Sequence, residues 1–427
     1  MPAERRLLLV ATTAGYQTES FRAAAQALGV ELVLASDRCH QLSDPWRDQA
    51  IPIRFDDVKG AVDLLRPRGS FGGIVASGDR AAGVAAKLAA GLKLPFHPVA
   101  AVEVCRDKAQ FGAALAAAGL PTPWIRKFKS DGALVVSTAA ASVKYPCVLK
   151  PAILSGSRGV IRANTAQEFA AAFARIRGLL TQPSIRQLKE PNGDLILAQG
   201  YIPGSEYALD GWMATGELRR FAMFDKPDAL EGPFFEETIY VTPSRLPTEQ
   251  RALIWDMVEA ACRAVGLGPG PIHAEIRLDG DTAYVLEIAP RSIGGHCGRA
   301  LRFQQARGTG AGGRLITLEE LLIRGALGGP VAPWQREEKA AGVMMIPIPK
   351  SGVLEDVAGV ERAQRVPGIE AVDITAKLGE PLQALPEGAS YLGFIFARSV
   401  TAAVAEQALR QAHAALEIHM RDMLPVA

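Results

Sequence analysis

Apolar runs of four or five residues alternate with alanine-rich stretches of helical repeat over the first hundred positions. Leu7–Ala11, Glu31–Ala35 and Gly73–Ala76 predict strands; 20–28, 58–65 and 80–90 predict helices. Strand–helix alternation implies a parallel sheet covered by helices. The segment Thr13–Gln17 falls where a strand hands over to a helix, the place where ligands bind in such sheets. Neither G-x-G-x-x-G nor G-K-[ST] occurs, so a Rossmann cofactor site or a P-loop is not supported.

The pattern then changes. Asp107 is placed to cap a helix running to Ala118, with Gly119 and Pro121 ending it. Strands are predicted at 145–150, 160–163, 195–202, 206–213, 218–224 and 238–242, with helices at 167–179 and 248–265. Residues 181–193 are polar and read as a loop. Pro271–Leu278 and Thr282–Ile288 flank Asp279-Gly280-Asp281, a hairpin signal. The glycine-rich stretch 308–313 is expected to be mobile, and 328–341, rich in Gly, Pro and charge, reads as a linker. Beyond it come strands at 342–348, 370–375 and 391–397 and an alanine-rich helix at 400–420, a small α+β unit. No internal repeat is evident.

The 427 residues exceed one ordinary core, and 48% hydrophobic with 22% charged residues is a globular composition. A net charge of +2 gives no electrostatic reason to expect nucleic acid or an anionic membrane as partner. Five scattered cysteines without a C-x-x-C pair, and no apolar run of membrane-spanning length, point to a cytoplasmic protein. The opening Arg5–Val10 faintly mimics a signal peptide, but its apolar run ends at Thr12 and reads better as a first buried strand.

The chemistry concentrates in the hairpin. With a three-residue loop at 279–281, His273 lies opposite Glu287 and Glu275 opposite Val285. Glu275 and Glu287 are then diagonal neighbours on one face, about 7–8 Å apart at Cα, and their carboxylates converge on hard cations such as Mg²⁺ or Mn²⁺. A loop of two or four residues would send them to opposite faces, and two solvated charges on a wet sheet face remain an alternative. Arg291 follows past a proline, suited to a phosphate or oxyanion. Ser155-Gly156-Ser157-Arg158-Gly159 is either a phosphate nest or a plain tight turn. Lys150 and Lys108 are each unremarkable alone.

The order of these segments is more specific than any one of them. Arg106-Asp107-Lys108, Val148-Leu149-Lys150-Pro151, the Gly/Ser loop, Ala198-Gln199-Gly200-Tyr201-Ile202-Pro203-Gly204-Ser205-Glu206 and the E…E-x-x-P-R hairpin together resemble the ATP-grasp superfamily over about residues 1–325. Phe224–Pro227, Gly232–Thr238 and the C-terminal unit make the chain most similar to the L-amino acid ligase and carboxylate–amine ligase branch. The implied fold is ATP-grasp, α/β and α+β. It has an N-terminal parallel α/β (pre-ATP-grasp) domain at 1–105 and an ATP-grasp core at 106–330. The core divides into a lid subdomain at 146–200 and a catalytic half at 201–330, and a small C-terminal α+β domain covers 331–427.

The resemblance also implies roles. Lys108 and Lys150 contact nucleotide phosphates, and Ser155, Gly156, Ser157 and Gly159 belong to the loop that closes over them. Gln199, Gly200, Tyr201 and Ile202 form the adenine hinge, and Glu206 binds ribose hydroxyls. Glu275 and Glu287 hold one or two Mg²⁺ or Mn²⁺ ions, and Arg291 steadies the acyl-phosphate. His273 and Lys226 are further catalytic candidates; Glu236, Glu237, Gly294, Gly295 and His296 are substrate-binding candidates. Two departures stand out: Ala289, where much of the family has a metal-binding Asn, and Gly200, where Glu or Lys is common. The implied activity is ATP-dependent joining of a carboxylate to an amine through an acyl-phosphate, on amino acids. A biotin-carboxylase-like reaction and a non-catalytic nucleotide-binding regulatory protein are the rivals. Small-molecule substrates are the expected partners, neither nucleic acid nor membrane is expected, and a homodimer is left open.

Overall fold

The structure is a computed structural model, described here over residues 5–12, 17–37, 50–130, 136–305, 314–388 and 390–423. Strands Ile51–Pro52, Glu31–Ser36, Arg6–Ala11 and Gly73–Ser77 lie side by side in that order, all parallel. Leu7, Leu8, Leu9 and Val10 are all fully buried, because this sheet is covered on both faces. Leu8 and Val10 pack with Ala81, Ala85 and Leu88 of helix Asp79–Leu92. Leu7 and Leu9 pack in a second core with Trp212, Phe303 and Leu321, which belong to later parts of the chain. Gly73 is needed there, since a Cβ would stand 2.2 Å from the Ala326 carbonyl oxygen. The sheet is therefore joined to the rest through a shared core.

A small antiparallel sheet follows, ordered Ile125–Lys129, Leu195–Gly200, Cys147–Pro151, Ile161–Ala163. Phe169, Phe173 and Ile176 of helix Ala166–Leu180 cover it at the helical repeat. Asp107 caps helix Lys108–Ala117, its side chain accepting from the N–H groups of Ala109 and Gln110. A separate helix, Val99–Arg106, precedes that cap and was not expected from the sequence.

The large sheet has eight antiparallel strands. Their order is Thr282–Ala289, Gly270–Asp279, Ser205–Ala214, Glu217–Asp225, Ile239–Thr242, Ala340–Ile346, Gly393–Ser399 and Ile369–Ile374. Two expectations need correction. The segment 328–341 is not a plain linker: Trp334–Arg336 pairs with Arg302–Gln305, and the strand beginning at Ala340 is laced into the large sheet. The long helix at 400–420 is a helix, Ala402–Ala414, and then a strand, Glu417–Arg421, paired with Gly352–Ala358. After Ala415 the repeat becomes two: Ile418 and Met420 are half-buried while Glu417, His419 and Arg421 are exposed. Within 181–193 a short helix, Pro183–Arg186, forms. Thr13–Tyr16 and 308–313 lie outside the described residues.

Candidate active site

The hairpin turn has two residues, Gly280 and Asp281, because Asp279 pairs with Thr282. That corrects the three-residue loop. On its own, a one-residue slip would have sent the two glutamates to opposite faces. A β-bulge cancels it: Ile276 pairs with Val285, Glu275 with Glu287, and Leu286 is the extra residue between. Glu275 and Glu287 are thus direct cross-strand partners, closer than the expected diagonal. His273, Glu275 and Arg277 alternate onto one face of their strand, while Ala274, Ile276 and Leu278 pack under helix Thr248–Ala264. On the neighbouring strand Glu206 and Asp210 share the site face.

These side chains form one buried ionic network. Lys226, 3% exposed, has its Nζ 2.6 Å from Glu206 Oε1, 2.6 Å from Glu237 Oε1 and 3.4 Å from Glu275 Oε1, over the Tyr240 ring. Arg277 Nε donates to Glu206 Oε2 at 3.0 Å and its Nη1 to the Ile202 carbonyl at 2.7 Å. His273 lies 3.4 Å from Asp210 Oδ2 and 3.8 Å from Glu275 Oε1. Burial opposes its charge, but Asp210 and Glu275 override it and push His273 up to about 9. Burial likewise opposes the charge on Glu275, yet Lys226 and His273 hold it well below the usual carboxylate range. Glu237 moves the other way: burial raises it, and Lys226 offsets that only in part.

This network bears on three of the expected site residues. Lys226 is placed as a counter-ion, its ammonium facing the Glu206, Glu237 and Glu275 carboxylates. Each Glu206 oxygen takes one cationic donor, so Glu206 ties Lys226 to Arg277 and keeps a lone pair on each oxygen for a further donor. His273 stands between the Asp210 and Glu275 carboxylates, which favour its charged form and place it to orient Glu275.

Lys108 Nζ lies 4.0 Å from Glu287 Oε2 and donates to the Leu154 carbonyl at 3.3 Å. Lys150 is buried, its side chain makes no hydrogen bond among the described residues, and desolvation, then the Lys108 charge, pull it down to about 7. In the glycine loop Gly156, Ser157 and Gly159 have φ of 63°, 55° and 72°. Arg158 N–H bonds to Ser155 O and Gly159 N–H to Pro386 O, so the loop donors without an acceptor among the described residues are those of Ser155, Gly156 and Ser157. Along the hinge, Gly200 and Tyr201 N–H groups donate to the Trp124 and Pro146 carbonyls. Gln199 sits within its strand, paired on both sides. Ile202 N–H is the hinge donor without a protein acceptor among the described residues. Gly200 also acquires a reason: a Cβ would stand 2.9 Å from the Trp124 indole nitrogen.

Arg291 Nε donates to Asp79 Oδ1 at 2.6 Å and its Nη1 to the Ser292 carbonyl at 2.8 Å. Gly295 and His296 turn with φ of 58° and 53°, and Gly294 O accepts from Cys297 N–H. The His296 ring packs edge-on against Phe394, 4.9 Å between centroids. Glu236 lies half-buried beside Glu237, and burial raises its carboxyl. Sequence reasoning missed Asp210, Arg277, Tyr240 and Asp79. Asp210 had a signal, an acid inside an apolar strand; Arg277 had another, its period-two spacing from Glu275.

Three carboxylates, of Glu206, Glu237 and Glu275, lie within 4.8 Å of one another. The Lys226 ammonium already sits among them, so this cluster does not suit a second cation. The Glu275–Glu287 pair does suit a hard divalent cation. Glu287 is 34% exposed, and among the described residues its one ion pair is the 4.0 Å approach of Lys108. Ala289, opposite His273, adds no side-chain oxygen.

Residues 143–300 match the ATP-grasp domain, and residues 344–421 match the L-amino acid ligase C-terminal domain 2. The fold is similar to that of an L-amino acid ligase from Bacillus licheniformis, with TM-score 0.79 and 24% identity over 99% of this chain and 100% of that one. A D-alanine--D-alanine ligase of Aromatoleum aromaticum is 28% identical over 55% of this chain and 73% of its own. An alanine--anticapsin ligase of Bacillus amyloliquefaciens is 28% identical over 46% of this chain and 43% of its own. No helix among the described residues is long and apolar enough to cross a membrane.

Proposed function

We propose that this chain, an ATP-grasp ligase by its ATP-grasp domain and its L-amino acid ligase C-terminal domain, activates the carboxylate of one amino acid with ATP and passes the acyl group to the amine of another. The observation that carries the proposal is the direct pairing of Glu275 with Glu287, beside two lysines whose charges lack full partners among the described residues.

A substrate carboxylate oxygen attacks the γ-phosphorus, the bond to the ADP oxygen breaks, and an acyl-phosphate forms. The amine nitrogen then attacks the acyl carbon and gives up a proton, and phosphate leaves with the carboxylate-derived oxygen. Such chemistry needs placement and charge neutralisation more than covalent help. Lys108 and Lys150 hold the phosphates, and the loop containing Ser155, Gly156, Ser157 and Gly159 excludes water from the acyl-phosphate. Gln199–Ile202 seat the adenine, with Ile202 as N–H donor. Glu275 and Glu287 hold Mg²⁺ or Mn²⁺, which neutralises triphosphate charge when bound. Lys226 and His273 fix Glu275 ionised. Arg291 steadies the oxyanion that develops on the acyl-phosphate. Glu236, Glu237, Gly294, Gly295 and His296 line the substrate side.

The C-terminal domain match favours this reading over a carboxylase. The test is release of ADP and phosphate from ATP across pairs of amino acids. Turnover is expected only with both substrates present, and Glu287→Gln is expected to lower it at least about 100-fold. ATP binding without turnover across a broad screen would sink the proposal.

A further inference from the structure

The parallel sheet at the N-terminus lies outside both matched segments, yet one of its residues reaches the proposed centre. Asp79 opens helix Asp79–Leu92, directly after the strand Gly73–Ser77, and Gly78, with φ of 96°, makes the turn between them. Its Oδ1 accepts from Arg291 Nε at 2.6 Å, across 212 residues of sequence. The arginine is the more enclosed partner, with 13% of its side chain exposed against 36% for Asp79. Burial works against the carboxylate, but the charge and hydrogen bond of Arg291 more than offset it and hold Asp79 below its ordinary range; Lys108 and His273 act in the same direction. Asp79 is therefore joined to Arg291 by charge as well as by hydrogen bond.

A second tether fixes the same loop. Gln17 Nε2 donates to the Ile293 carbonyl at 2.7 Å, and Ser77 Oγ donates to Gln17 Oε1 at 3.0 Å. From the other side Ile293 N–H donates to Asp210 Oδ1 at 2.9 Å, and Asp210 Oδ2 faces His273. The backbone two residues after Arg291 is thus clamped between the N-terminal sheet and the metal-side histidine. Ile293 itself is 2% exposed in the core shared by the two parts.

We infer that Asp79 is a positioning residue: it orients the Arg291 guanidinium toward the acyl-phosphate, so the N-terminal sheet completes the active site rather than merely leaning on it. The inference rests on the oxyanion role proposed above for Arg291. A planar guanidinium gripped at Nε by a carboxylate keeps one orientation, and misplacement by about 1 Å costs about 100-fold in rate.

The experiment uses the full chain, with Asp79→Asn, Asp79→Glu and Arg291→Ala, and Asp79→Asn combined with Arg291→Ala. Asp79→Asn is expected to lower kcat for two-substrate turnover about 10–100-fold with KM for ATP little changed, and Asp79→Glu to recover part of the loss. Low-millimolar guanidinium is expected to restore some turnover to Arg291→Ala but not to the double variant, because Asp79 is what seats the guanidinium. Equal rescue in both, or a kcat for Asp79→Asn like that of the natural chain, overturns the inference while leaving the arginine's role intact. A drop in thermal stability that accounts for the lost activity, or a rise in KM for ATP without a fall in kcat, also overturns it. Full turnover by Arg291→Ala would remove both readings together.

Discussion

Lys150 shows how a residue unremarkable in sequence becomes informative through its surroundings. A strand-end lysine is ordinarily solvated; this one is buried, and desolvation together with Lys108 brings it down to about 7. The depressed value fixes a sign. Between about pH 7 and the unfolded value of 10.5 the unfolded chain holds a proton that the folded chain lacks, so this group makes the free protein more stable as pH rises through that window, and its penalty is fully present below pH 7. Bound phosphate restores the ammonium, so ATP binding is expected to take up protons, rising from about half a proton at pH 7 toward one near pH 8.5. Calorimetric titration in two buffers of different ionisation enthalpy reads that number. Uptake that persists in Lys150→Met would assign it elsewhere. Lys226 carries the opposite lesson. Phe224-Asp225-Lys226-Pro227 marked it as noteworthy, but its enclosure by Glu206, Glu237 and Glu275 depends on strands far apart in sequence.

Among the elements, the hairpin was legible as a hairpin and illegible in register. Asp-Gly-Asp does not say which residue leaves the ladder, and the bulge at Leu286 exists only once the strand pairs with its neighbours. The same-face pairing of the glutamates survived because a shorter turn and an extra residue cancel. The glycine loop shows a link that no local reading contains. Gly159 N–H donates to Pro386 O at 2.7 Å, Arg158 Nε donates to Glu387 O at 2.6 Å, and Arg175 Nη2 donates to Glu387 Oε2 at 2.8 Å. The C-terminal segment thereby latches the glycine loop. Glu387→Ala removes a half-exposed ion pair worth about 1 kcal/mol, which should open the loop about fivefold more often. Trypsin cleavage after Arg158 should rise by that factor and fall again on adding ATP and Mg²⁺. An unchanged cleavage rate would show that the latch does not control the loop.

At the scale of the whole molecule, the order of segments carried the fold because each motif falls at a strand end or turn that period and punctuation reveal. The joins between parts were hidden. Leu7 and Leu9 read as one more buried strand, and nothing local says that their face packs on Trp212 and Leu321. The stretch 328–341 looked like a linker because Gly, Pro and charge also suit a chain running tightly along a sheet edge. The consequence bears on the proposed function: the N-terminal sheet bonds Arg291 through Asp79, and the C-terminal segment bonds the glycine loop through Pro386 and Glu387, so the proposed carboxylate activation would draw on the assembled chain. That claim is tested most directly by labelling both carboxylate oxygens of the acyl substrate with ¹⁸O and analysing the phosphate released during amide formation. Attack by the carboxylate on the γ-phosphorus predicts one labelled oxygen in each phosphate, with ADP, phosphate and amide formed in equal amounts. Phosphate without label, released alongside amide, would contradict the acyl-phosphate account.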